Sequence, residues 1–291
     1  MTHTNMKRDR PLLGIGLAVL ATFLFACLNS MTKHISLVYP VVTILWFRYL
    51  FFCSYGLISG LKKEGPRAFC SIVPILQVLR AILLLSEIGV YVFAFRYLPL
   101  AEISAISAIG PIMTMGVSAL ILRESIINRQ WCAAVFGFLG VMIIVKPGFS
   151  SFNPLMITPI CGTALWCLYQ ILTRFVSKYE GSEKTTLFTS TIGFGILCFL
   201  LPFFWDPVDV SWLGELVLLA IFGAAGHATL IKALSIAPAS LLQPFSYLGI
   251  VWAILFGWLF FNETPQFATV LGALIIVVSG FYILKCQNPD I

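Results

Sequence analysis

Arg80, Glu87 and Tyr91 lie in one otherwise apolar stretch, at a spacing that puts them on a single face if the stretch is helical. At about 100° per residue their directions are roughly 0°, 340° and 20°. One charge at the centre of a bilayer costs about 2.5 to 3.5 kcal/mol on insertion scales, so such a stripe must face protein or water. Arg80 and Glu87 are about 10.5 Å apart along a helix axis, too far to pair unaided. Each therefore needs another partner. Glu87 is a candidate for carrying a proton or holding a cationic group, the competing role being a structural ion pair with Arg48. His227, whose imidazole titrates near neutrality, is a second candidate for a proton path, against the plainer role of a hydrogen-bonded packing residue.

Binding and proton movement are the only chemistry these residues suggest. The chain has no GxxxxGK[ST] phosphate loop, no HExxH and no GxSxG, so ATP-driven work and hydrolysis are not expected, and it is read as not an enzyme. GIG at 14–16 lies inside an apolar run and is too weak a glycine pattern for a dinucleotide. The cysteines at 27, 53, 70, 132, 161, 167, 198 and 286 form no CxxC pair and read as small packing residues. No metal and no cofactor is expected.

The elements that must hold such side chains are transmembrane helices. The chain has 291 residues, 59% hydrophobic and 10% charged, with a mean hydropathy of +0.98. Its uncharged runs at 11–32, 103–122, 185–205, 233–262 and 264–284 have about the 20 residues that cross roughly 30 Å of hydrocarbon. A transmembrane barrel would instead show short alternating segments. Ten spans are expected, near 11–32, 40–60, 74–96, 100–122, 130–146, 154–175, 185–205, 213–233, 238–260 and 266–284. The first follows Lys7, Arg8 and Arg10 but lacks a small-x-small cleavage site, and is read as a retained helix rather than a secretory signal.

A formal charge of +6 does not imply nucleic acid, because the basic residues sit mostly between spans. With the N-terminus in the cytoplasm, Arg10, Lys62, Lys63, Arg67, Arg123, Arg129, Arg174, Lys178, Lys184, Lys232 and Lys285 join Lys7 and Arg8 on the inside, while Lys33, Arg96 and Lys146 lie outside. Both termini are thus expected to be cytoplasmic.

The chain also repeats itself. Ala94, Pro99, Ser107, Gly110, Leu120 and Glu124 meet Ala233, Pro238, Ser246, Gly249, Leu259 and Glu263 at one constant offset. The first span matches the sixth in the same way: Thr22, Asn29, Thr32 and Lys33 face Thr163, Gln170, Thr173 and Arg174. Residues 1–149 and 150–291 are therefore read as two copies of a five-helix unit, and an odd number of helices per copy makes the repeat inverted. The fold class expected is all-α integral membrane, ten transmembrane helices as two inverted five-helix repeats.

The segments AFRYLPLAEISAISAIGPIMTMGVSALILRE and KALSIAPASLLQPFSYLGIVWAILFGWLFFNE, each followed by a Gly-containing span, resemble the drug/metabolite transporter superfamily, EamA-like branch. The resemblance covers nearly the whole chain. It implies a ten-helix carrier of small metabolites in a bacterial inner membrane, with a central cavity lined by the first, third, fourth, sixth, eighth and ninth helices. Some relatives import riboflavin or S-adenosylmethionine, and others export amino acids.

On those helices the candidate substrate-binding residues are Asn29, Lys33, Arg80, Tyr91, Trp166, Tyr169, Gln170, Gln243 and Tyr247, with Glu87 and His227 as the proton-coupling pair. Lys33 and Arg174 have the alternative role of snorkelling to opposite interfaces, and the aromatic residues that of ordinary membrane filler. Glu124 and Glu263, each at a span's exit, are expected to cap the next helix or to pair with a neighbour such as Arg123 or Arg129. The expected function is secondary active transport of a small organic metabolite by alternating access, proton-coupled or exchanging; the rival is a membrane scaffold that kept the fold. The partners expected are that metabolite and the bilayer, with no nucleic acid, and a homodimer is compatible with the sequence.

Overall fold

The computed structural model describes residues 10–98, 103, 106–145, 154–204, 206–261 and 266–287. Lys7, Arg8, Pro99, Lys146 and Glu263, used in the sequence reading, lie outside them. The helices are α1 (Pro11–Ser36), α2 (Val41–Glu64), α3 (Pro74–Tyr97), α4 (Gly110–Val117), α5 (Asn128–Val145), α6 (Ile157–Val176), α7 (Ser182–Phe204), α8 (Val210–Ile236), α9 (Ala239–Ser246), α10 (Leu248–Phe261) and α11 (Phe267–Gln287). Among the described residues there is no strand. Nine helical segments there are long and apolar enough to cross a membrane, and Gly110–Leu122 is a shorter apolar one. The fourth expected span, 100–122, is described only in part.

Local chemistry explains the helix ends. Pro11 and Pro74 begin α1 and α3, where a missing N–H costs little. The Asp209 side chain accepts from the Ser211 N–H at 3.2 Å and caps α8. Ile75, Leu120 and Phe267 are more than four-fifths exposed, part of an apolar belt that water would not tolerate and lipid does. The protein is a multi-pass membrane protein.

Helix pairing is reciprocal between the halves. The first helix of the first half, α1, packs on the third of the second half, α8, and α3 packs on α6 in return. The second helices, α2 and α7, pack together, as do the fifth, α5 and α11. In the last pair two glycines let the backbones meet: a Cβ on Gly140 would lie 2.8 Å from the Gly272 carbonyl oxygen, and one on Gly272 would lie 2.6 Å from that of Gly140.

The span expected at 238–260 is broken in two. Pro244 cannot donate to the Ser240 carbonyl, and the helix ends two residues later at Ser246. Tyr247, between α9 and α10, donates its phenol to the Ala108 carbonyl of the other half at 2.9 Å. At the end of α4 a π turn, Ser118–Leu122, leads into Arg123, a left-handed residue with φ 53°. That conformation costs of order 1 to 3 kcal/mol for a non-glycine residue and is held by its surroundings. It ends the helix just before Glu124.

Candidate functional site

A cavity of about 390 Å³ lies between the halves. From α1 it takes Phe25, Asn29 and Lys33, from α2 Arg48, and from α3 Glu87 and Tyr91. The second half supplies Thr163, Trp166 and Gln170 from α6, His227 from α8, and Gln243, Ser246 and Tyr247 from α9 and the break after it. Nine residues anticipated from sequence thus share one wall: Asn29, Lys33, Glu87, Tyr91, Trp166, Gln170, His227, Gln243 and Tyr247.

The charged pair in this cavity is Arg48 and Glu87, exposed by only 7% and 9%. They attract one another through space, yet no ion pair joins them among the described residues. Both side chains face the cavity. A carboxylate and a guanidinium held apart in a low-dielectric pocket can each take a complementary charge from a third molecule. Around them the polar groups are positioned by bonds of their own. Tyr91 Oη lies 2.8 Å from Ser107 Oγ and 2.9 Å from Thr163 Oγ1. Gln243 donates to Gln170 Oε1 at 3.1 Å, joining α9 to α6.

His227 sits in an aromatic box, its ring centroid 5.0 Å from Phe25, 5.7 Å from Phe52 and 6.2 Å from Trp166. Among the described residues neither ring nitrogen has a hydrogen-bond partner, although the residue is 5% exposed. The hydrogen-bonded packing role considered from sequence is therefore not what the structure displays.

Arg80 and Tyr169 do not line the cavity. Arg80 is wholly buried where α3 meets α6 and α7. Its Nε donates to Thr173 Oγ1 at 2.9 Å, and its Nη1 to Gln77 Oε1 at 3.0 Å, the Thr185 carbonyl at 3.1 Å and Thr189 Oγ1 at 2.6 Å. The guanidinium carbon lies 5.2 Å from the centre of the Tyr169 ring. Gln77 continues the network to Glu180 at 2.6 Å. The stripe on α3 has the expected direction, but Arg80 sits two turns from Glu87, beyond the end of the cavity. Arg48, named from sequence only as a partner for Glu87, is a wall residue in its own right; its one signal was a charge inside an apolar run.

At the end of the cavity nearest Gln170 and Gln243 the halves are clasped together. Glu124 Oε1 accepts from Arg174 Nε at 3.3 Å and from the Ala239 N–H at 3.2 Å. Its Oε2 accepts from the Ser240 N–H at 3.0 Å and the Ser240 hydroxyl at 2.8 Å. Glu124 thus caps a helix, as expected, but the helix is α9 of the opposite half, and its basic partner is Arg174 rather than Arg123 or Arg129. The left-handed Arg123 delivers it there. Arg174 is 8% exposed, whereas its repeat counterpart Lys33 is exposed at the other end of the cavity.

Residues 12–146 and 154–285 each match the EamA-like transporter family. The chain is 28% identical over 266 residues to a protein of Rickettsia prowazekii (strain Madrid E) named S-adenosylmethionine uptake transporter, covering 90% of this chain and 89% of that one. A Brucella anthropi protein named riboflavin transporter is 24% identical, over 77% of this chain and 81% of its own. A protein of Pseudomonas aeruginosa (strain PAO1) named pseudopaline exporter CntI is 26% identical, over 91% and 94%. A solved crystal structure at 18% identity superposes with a TM-score of 0.77, covering 94% of this chain and 97% of that one, and shows the same fold.

Proposed function

This chain belongs to the EamA-like transporter family, and from that premise we propose that it is a secondary carrier moving a small organic metabolite across a bacterial inner membrane by alternating access. The observation that carries the reading is a polar, aromatic-walled cavity between two reciprocal halves, clasped at one end by Glu124 and lined at the other by the exposed Lys33. The basic bias of the loops puts the clasped end, together with both termini, on the cytoplasmic side. Rocking the halves would break the clasp and expose the same cavity inward.

The substrate that fits the walls is a zwitterion carrying a flat ring. Its carboxylate goes to Arg48, its cationic group to Glu87, and its ring to the aromatic wall of Phe25 and Trp166, which pack edge to face with centroids 5.9 Å apart. Asn29, Gln170 and Gln243 supply the neutral donors and acceptors that fix orientation. S-adenosylmethionine has a carboxylate, an ammonium, a sulfonium and adenine, and is the first compound to test; riboflavin and amino acids follow. Glu87 and His227 are the groups that take up a proton if the carrier is proton-coupled, and an exchanging carrier would use the same wall without them titrating.

The test is a thermal-shift series on the purified protein with S-adenosylmethionine, flavins, nucleosides and amino acids, since a ligand bound only by the folded chain raises stability by RT ln(1 + [L]/Kd). A shift that disappears in Arg48→Gln or Asn29→Ala supports the cavity as the site. No shift at about 100 times a micromolar Kd, where about 2.7 kcal/mol is expected, would count against this substrate class.

A further inference from the structure

A second cavity, of about 520 Å³, opens between α1, α2, α7 and α8 on the face bearing the basic helix ends. Its lining is graded. Phe51 and Ile221 form the deep part, Tyr55 and Thr229 the middle, and Ser182, Glu183 and Lys232 the mouth. From Ile221 to Lys232 the groove follows α8 for about 16 Å, close to half of the roughly 30 Å hydrocarbon thickness. An apolar channel one leaflet deep that ends in hydroxyls and charge has the polarity of a single phospholipid.

The charges at the mouth select the head group. Lys63 Nζ lies 2.7 Å from Glu183 Oε1, and Lys232 Nζ 3.4 Å from the same oxygen. Glu183 Oε2 accepts from Ser182 Oγ at 3.0 Å, so both carboxylate oxygens are engaged. Two ammonium groups share one carboxylate, which leaves the mouth with a net positive charge. Each remains almost half exposed, with N–H donors to spare. The neighbouring pair, Lys184 with Glu64 at 2.8 Å, is neutral on balance. We propose that this groove is a binding site for one anionic phospholipid of the cytoplasmic leaflet, its acyl chain along α8 and its phosphate between Lys63 and Lys232. The site is separate from the transport cavity; its leaflet, but not its chemistry, rests on the loop-charge orientation.

The experiment is native mass spectrometry of the full chain released from detergent, titrated with phosphatidylglycerol and, separately, with phosphatidylcholine of the same acyl chains. One phosphatidylglycerol is expected to stay bound per chain, with phosphatidylcholine held more weakly. Lys63→Gln and Lys232→Gln should each reduce phosphatidylglycerol affinity about fivefold and leave phosphatidylcholine unchanged. Ala225→Phe, which fills the groove, should displace both; Thr229→Leu is a second filling variant should the first not fold. Glycerol 1-phosphate, the head group alone, should not compete. Retention of phosphatidylglycerol unchanged in both lysine variants, equal retention of the two lipids, or displacement by glycerol 1-phosphate would each overturn the proposal.

Discussion

The Glu124 carboxylate of the first half accepts from the Arg174 guanidinium of the second at 3.3 Å, with both side chains almost nine-tenths buried. Removing the Glu124 carboxylate deletes four hydrogen bonds that cross between the halves, each worth about 0.5 to 1.5 kcal/mol net and more where charged, while Arg174 still donates to the Leu234 carbonyl. If the clasp holds the cytoplasmic end shut, Glu124→Ala moves the population toward the inward-facing state. Labelling of Gln170→Cys by a membrane-impermeant maleimide, in inside-out vesicles and a background without the native cysteines, should then rise at least about tenfold, which needs only about 1.4 kcal/mol of that shift. An unchanged labelling rate would make the clasp a purely structural contact.

Arg80 gives the opposite kind of prediction. Four hydrogen bonds tie it to α3, α6 and α7 outside the cavity. Arg80→Met should cost stability, about 2 to 4 kcal/mol through stranded partners such as Gln77 and Thr189, while the folded protein keeps its substrate affinity. A large loss of affinity with little change in melting temperature would return Arg80 to the binding site.

The α5–α11 contact is set by backbone atoms that cannot move aside. Gly272→Ala places a methyl group 2.6 Å from the Gly140 carbonyl oxygen, and should destabilise the protein by about 1 to 3 kcal/mol without altering substrate selectivity. Thermal melts of wild type and variant measure this directly.

His227→Phe tests the proton path. The box of Phe25, Phe52 and Trp166 accepts a further apolar ring, so the melting temperature should stay within a few degrees. On the proton-coupled reading, flux driven by a pH gradient should fall at least about tenfold while exchange at equal pH continues. Equal losses in both assays would show that His227 acts only through packing.

The twofold arrangement and most of the cavity wall were legible in the sequence because repetition and polarity inside apolar runs are one-dimensional signals. The matches Asn29 with Gln170 and Lys33 with Arg174 place like chemistry at equivalent points of the two inverted copies, towards opposite ends, and three of these four line the cavity. Depth along a helix was not legible. The angular stripe on α3 is right for Arg80, but where the cavity ends depends on α6 and α7, which no local pattern of α3 encodes. The target of Glu124 was equally hidden, since its partners Arg174, Ala239 and Ser240 come from the other half through a turn set by one left-handed residue. The break at Ser246 was signalled by Pro244, inside a stretch whose apolarity suggested one continuous span.

In the proposed mechanism a zwitterion is held between Arg48 and Glu87 and carried from one side to the other. Counterflow of labelled S-adenosylmethionine into liposomes holding the purified protein and an excess of unlabelled compound tests it most directly, because counterflow needs binding and alternating access but no ion gradient. Wild type should accumulate label saturably, and both Arg48→Gln and Glu87→Gln should lose at least about tenfold, with thermal melts showing that the variants are folded. Counterflow at the wild-type rate in Glu87→Gln, or none by wild type with any zwitterion of the panel, would contradict it.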